Sequence, residues 1–341
     1  MSGIPRRVSV LMACLLQWTG AHAETEEPAK SPKQTYVQSV YSSYFVPRAA
    51  RFVLASGKLA DAVDPMCRAP VEDSLGAARR AWIDALLAWE SLGAVAVGPL
   101  LERHTVANID FWPTRPGMIE AEMRQETPDT AMLRRSGVAG RGLPALEWLL
   151  WGPAAPAPVI VDPKACKYAF LLAQDVAEEA RALDMRFAEL GASVLPSETA
   201  GEMLTQLVNQ SIGAVELLRR KRFLNPAMTR NPKAFARSLS GQTQASWNVQ
   251  WGAIRGLLIG EGKSDAWTLV ALLRERGLNA SAVRLRAAVD QSSAAVRMAS
   301  PAKPQSALDA AAALLNLRST LERDVAAPLG VPVVFSEFDG D

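Results

Sequence analysis

The sequence is poor in the residues from which most hydrolytic and metal sites are built. Its 341 residues hold two histidines and three cysteines. One of each, His22 and Cys14, falls within the first 23 positions, which leaves His104, Cys67 and Cys166 beyond them. No HExxH is present, and zinc sites usually draw on several imidazoles or thiolates. A Ser-His-Asp triad could use only His104, and no GxSxG elbow accompanies it. Glycine-rich phosphate loops are also missing. An excess of charge of one sign is absent as well: 37 basic residues stand against 35 acidic ones. Taking away Arg6 and Arg7 of the N-terminal segment leaves 35 against 35. Such balance argues against a nucleic-acid partner, which needs a basic face. Long apolar runs are lacking too. The best, Val8 to Leu16, is shorter than the roughly 20 residues that span a bilayer.

What the N-terminus does contain is the pattern of a secretory signal. Arg6 and Arg7 precede the apolar run, and Ala21-His22-Ala23 forms an A-x-A site before Glu24. Residues 1–23 are therefore expected to be a cleaved signal peptide. The mature chain is expected to work in the periplasm or cell envelope, with no transmembrane segment. Residues 24–35 read as a polar leader. The two remaining cysteines suit an oxidising compartment. Cys67 follows the first predicted long helix and Cys166 begins the fourth, ends that share a pole in an up-down bundle. A Cys67–Cys166 disulfide is the expectation, with two buried thiols as the alternative.

After the leader nearly everything has helical periodicity. Leu75, Ala78, Trp82, Leu86 and Trp89 recur three or four apart, as do Trp247, Trp251, Ile254 and Leu258. Further helices are expected over roughly 36–66, 165–190, 198–223, 265–297 and 305–327, and no alternating run demands a sheet. The fold class is all-α, with two bundle-like halves at 36–192 and 193–341. Residues 98–135, with Pro99, Pro113, Pro116 and Pro128, read as a long and mostly irregular excursion in the first half. The basic run Arg219–Arg222 reads as a solvated helix end, where cations suit the dipole.

Three acids are out of place. Glu147, in GRGLPALEWLLWG, has Leu143, Leu150 and Trp151 three and four positions away. Glu90, in ALLAWESLGA, has Leu86, Leu87, Gly93 and Ala94 at the same spacings. Asp110 is wedged between Ile109 and Phe111-Trp112, with Arg115 just beyond. A carboxylate on an apolar helix face is costly to bury unless it is paired. Inward-facing carboxylates build metal sites in helical bundles, and their hard oxygens suit iron or another divalent or trivalent cation. Glu90, Asp110 and Glu147 are thus candidate metal ligands, framed by Arg115 and Arg141 as candidate ligand- or cofactor-binding residues. The alternative is a structural network in which arginines neutralise the acids.

IDFWPTRP (109–116), GLPALEWLLWG (142–152) and VVFSEFDGD (333–341) together resemble imelysin-like proteins. AWIDALLAWESLGAVAVGP (81–99) and SGQTQASW (240–247) are similar to further segments of that family. The resemblance implies an exported all-α protein of two bundle-like halves, associated with iron uptake and with a proposed metallopeptidase activity. Its GxHxxE motif falls on Gly142 and Glu147, with Pro144 in the histidine position. Glu90 and Asp110 match the positions that add acidic groups to the same pocket. A family Trp-Arg-Ser-Gly segment appears as Ser238-Leu239-Ser240-Gly241, and Ser336 replaces an asparagine near the C-terminus. Proline has no ligand atom, so the expected function is a non-catalytic envelope protein that binds an iron-related metal or another ligand in a carboxylate-lined pocket. Envelope iron-uptake proteins are the expected partners. A metallopeptidase using the same acids and a purely structural interaction protein are the other readings.

Overall fold

The computed structural model describes Gly3 and residues 30–125, 129–135, 137–152, 155–262 and 267–334. Apart from Gly3 the expected signal peptide lies outside the described residues, as do most of the leader and the C-terminal stretch with Ser336. The described residues from Ser31 onward form one compact unit. Among the described residues there is no strand, and no helix is long and apolar enough to cross a membrane.

The first half begins with α1 (Pro32–Val40), four residues before the expected start. Ser31 accepts from Gln34 N at 3.3 Å while Gln34 Oε1 accepts from Ser31 N at 2.9 Å, a capping box with Pro32 in the first turn. A π turn (Tyr41–Phe45) leads into α2 (Val46–Arg68), followed by α3 (Glu72–Leu92). The excursion is more helical than its prolines suggest: it holds α4 (Pro99–Glu102), α5 (Thr105–Asp110), α6 (Pro116–Met123) and α7 (Thr130–Arg135). Pro99 and Pro116 each stand in the first turn, where a missing N–H costs nothing, so they start helices instead of preventing them. Then come α8 (Gly142–Trp151), the one-turn α9 (Pro158–Val161) and α10 (Pro163–Ala192).

The second half contains α11 (Ser197–Leu217), a π turn (Leu218–Leu224), α12 (Asn225–Met228), α13 (Thr243–Ile259), α14 (Leu269–Glu275), α15 (Asn279–Met298) and α16 (Pro304–Thr320). The helix expected over 265–297 is broken between α14 and α15. Gly277 takes φ of 74°, and Leu278 N donates to Leu273 O at 2.8 Å, which ends α14 with a left-handed glycine cap.

Packing follows the apolar stripes. α2 lies along both α3 and α10, and the Cys67–Cys166 disulfide, with Cα atoms 5.4 Å apart, ties the end of α2 to the start of α10. α15 packs on α16, while α3 meets α13 and α1 meets α11, so the core runs without a break from one half into the other. Tyr44 makes the same join with a polar contact, its hydroxyl donating to Ala253 O at 2.9 Å.

Candidate functional site

The start of α8 is fixed by Gly142. Its φ is +75°, and a Cβ there would stand 2.4 Å from Ile109 O and 2.9 Å from Asn108 O. Only glycine lets the carbonyl end of α5 approach α8 so closely. The approach sets the end of α5, which carries Asp110, against α8, which carries Glu147 one turn and a half from its start. Pro144 sits in the first turn of α8, where it is compatible with the helix. Trp82 Nε1 donates to Leu143 O at 3.1 Å and so fastens α8 to α3. On α3, two turns on from Trp82, is Glu90.

The three acids do converge, and what they converge on is Arg237. This side chain is fully buried. Its Nη2 donates to Asp110 Oδ1 and lies 3.5 Å from Glu90 Oε1, and its Nη1 is 4.0 Å from Glu147 Oε2. Arg222 Nη2 donates to the other Asp110 oxygen at 2.9 Å. Each carboxylate also has neutral partners or a second cation. Glu90 accepts from Ser246 Oγ at 2.7 Å and from Gln250 Nε2, both on α13. Glu147 Oε1 accepts from Ser240 N at 3.0 Å and from Ser240 Oγ at 2.7 Å. The acids come from the first half and every one of these partners from the second.

The electrostatics follow from burial and pairing. Burial alone would raise the Asp110 carboxyl, but Arg237 and Arg222 outweigh it and hold the group below its ordinary value. For Arg237 burial works against the charge, and Asp110, Glu90 and Glu147 more than restore it. The backbone of Arg237 lies at φ of 66°, in the left-handed region that a long side chain rarely occupies. A strained, buried and always-charged residue at the meeting point of three acids marks a site that the surrounding structure over-determines.

A metal does not fit this donor set. The guanidinium stands where a cation shared by the three acids would sit, and Asp110, Glu90 and one oxygen of Glu147 already accept hydrogen bonds. A divalent ion would have to displace a cation that cannot lose its proton. Pro144 offers no ligand atom, and His104 is exposed, lining a cavity wall. Among the described residues no group of three or more histidine, cysteine, aspartate or glutamate side chains is placed to hold a metal ion.

The flanking arginines of the sequence reading lie elsewhere. Arg115 is exposed at the N-terminus of α6. Arg141 is buried, but its Nη2 donates to Asn108 Oδ1 and it lines a polar cavity with Arg103, Arg134, Asp175 and Glu179. The arginines that pair with the three acids are Arg237 and Arg222. Arg222 also corrects the reading of 219–222 as a solvated cap: the π turn Leu218–Leu224 turns it inward to Asp110, and Arg219 pairs with Glu216 at 2.6 Å. A signal for Ser246 and Gln250 existed, because both lie four apart among the apolar residues of α13. Arg237 had a weaker one: it stands two positions before Leu239, which occupies the arginine place of the family segment.

Above the Asp110–Arg222 pair opens a cavity of about 270 Å³. Leu100, Leu101, Val106, Phe111, Trp112 and Leu217 form its apolar walls, and His104, Asp110, Lys221 and Arg222 its polar ones. The site therefore has two levels, an ion-pair cluster sealed in the core and an apolar chamber that reaches it through Asp110 and Arg222.

The imelysin family model matches residues 45–321. No curated protein matches the sequence. Among solved structures, an imelysin-like protein from Psychrobacter arcticum aligns with a TM-score of 0.74 at 20% identity, covering 90% of this chain and 99% of that one. A protein from Parabacteroides distasonis, named as a candidate iron-regulated protein A precursor, aligns with a TM-score of 0.72 at 14% identity, covering 89% and 96%. With the family matched over most of its length and the fold shared with these structures, the chain belongs to the imelysin family.

Proposed function

We propose that this protein is an exported, non-catalytic binding member of the imelysin family, which holds a small ligand in the chamber over Asp110 and Arg222. The observation that carries the reading is the buried guanidinium of Arg237 among Glu90, Asp110 and Glu147. A peptidase of the metal-dependent kind needs an ion that polarises a carbonyl or activates water, and here the acids that would hold it are engaged. Their role is instead to lock the two halves together and to fix Arg222 at the floor of the chamber. Export is supported by the A-x-A pattern before Glu24 and by the word precursor in the name of the Parabacteroides protein. That same name is the support for an iron link, which we take to concern the setting in which the protein is made and the envelope iron-uptake proteins around it.

Two measurements test the reading. The protein purified from its own envelope fraction should begin at Glu24. Incubated with casein and with Mn2+, Zn2+ or Fe2+, it should release no peptides. Hydrolysis that disappears in Glu147→Gln would replace this reading with the metallopeptidase one.

A further inference from the structure

The chamber's chemistry also says what it takes, given that it is a ligand site as proposed above. Its apolar walls include two aromatic side chains, Phe111 and Trp112. Its volume, about 270 Å³, lies just below the roughly 300–1,000 Å³ of sites for drug-sized molecules, so the occupant is of one or two rings. The charged groups in the lining are two cations, Lys221 and Arg222, and one anion, Asp110. The charge of Asp110 is already compensated: one oxygen accepts from Arg237 and the other from Arg222. Arg222 is 7% exposed, lines the chamber, and donates to Asp110 through its Nη2 at 2.9 Å. A guanidinium offers five N–H donors in a fixed fork.

We infer that the chamber binds a small aromatic carboxylate, with the ring against Phe111 and Trp112 and the carboxylate on Arg222. An amine is disfavoured because the lining presents cations and a neutralised acid. A neutral amide retains the ring contacts but gives up the charge-assisted hydrogen bonds, which are about twice as strong as neutral ones.

The test uses three probes of one shape on the full mature chain: 2-naphthoate, 2-naphthamide and 2-naphthylmethylamine, titrated by calorimetry. The carboxylate should bind roughly tenfold or more tighter than the amide, and the amine weakest. Leu217→Trp, which fills the chamber without touching an ion pair, should abolish binding, with its fold checked by circular dichroism. Arg222→Lys should weaken the carboxylate and leave the amide nearly unchanged. If the amide or the amine binds as tightly as the carboxylate and Leu217→Trp blocks it, the anion preference is wrong and the chamber reading stands. If no probe binds, or binding is indifferent to Leu217→Trp in a folded variant, both fall.

Discussion

Replacing Arg237 by methionine removes the charge from the centre of the site while keeping most of the side-chain volume. In the wild type Asp110 accepts from Arg237, Glu90 lies 3.5 Å from it and Glu147 4.0 Å. All three carboxylates have side chains no more than 4% exposed. Removing one partner from a buried ion pair costs roughly 3–5 kcal/mol, because the other charge is left without compensation. Here one removal affects three acids, so the upper part of that range is expected at pH 7, a large share of a total stability of about 5–15 kcal/mol. The pH dependence supplies a second, sharper signature. In the wild type the Asp110 carboxyl is held below its ordinary value, so its stabilisation is present above the unfolded value and lost as pH falls through the folded one. In Arg237→Met Asp110 keeps only Arg222, so burial weighs more heavily against its charged form and the variant loses less stability than the wild type as pH falls. The gap between the two proteins should therefore narrow from about 4–5 kcal/mol at pH 7 to about half that near pH 4. Equilibrium urea unfolding at both pH values measures it. A loss below about 1 kcal/mol at pH 7, or a gap that widens on acidification, would mean that Arg237 does not compensate the three acids.

Other positions give independent checks. Gly142→Ala places a Cβ 2.4 Å from Ile109 O at φ of +75°, and should destabilise by about 2–4 kcal/mol in thermal unfolding. Reduction of Cys67–Cys166, 99 residues apart, should cost about 4–5 kcal/mol by chain entropy, read as a drop in the guanidinium midpoint with a thiol-free reductant. Ser246→Ala leaves Glu90 Oε1 without its 2.7 Å donor and should cost about 1–3 kcal/mol. Burial raises the Asp175 carboxyl above its ordinary value in spite of Arg134 at 2.8 Å. Its contribution is thus full below the unfolded value and lost as pH rises, and Asp175→Asn should remove that downward slope above about pH 4.

Much of this was legible in the sequence because it depends on local chemistry. The 3.6-residue stripes pointed to the all-α class. The three acids were visible as charges on apolar faces, and the spacing of the helices brought Cys67 and Cys166 to one pole. The identity of their partners was not legible. Asp110 and Arg237 are 127 residues apart, and the nearest arginines in sequence, Arg115 and Arg141, were the natural guess. One is exposed and the other bonds Asn108. The inward turn of Arg222 depends on a π turn, whose extra residue per turn shifts the helical face by an amount that periodicity cannot register. The short helices of 98–135 were missed for a related reason: a proline reads as a breaker unless the helix is known to begin there.

The guanidinium of Arg237 stands among Glu90, Asp110 and Glu147, where a shared metal ion would otherwise sit. The most direct test is a calorimetric and thermal titration of tag-free protein with Mn2+, Ca2+ and Fe3+, run on the wild type, Arg237→Ala and Glu147→Gln. The wild type should neither bind these ions at the site nor gain stability from them, whereas Arg237→Ala, with three acids released, should be stabilised by at least one. A wild type whose melting temperature rises with any of the three metals, and whose response disappears in Glu147→Gln, would contradict it.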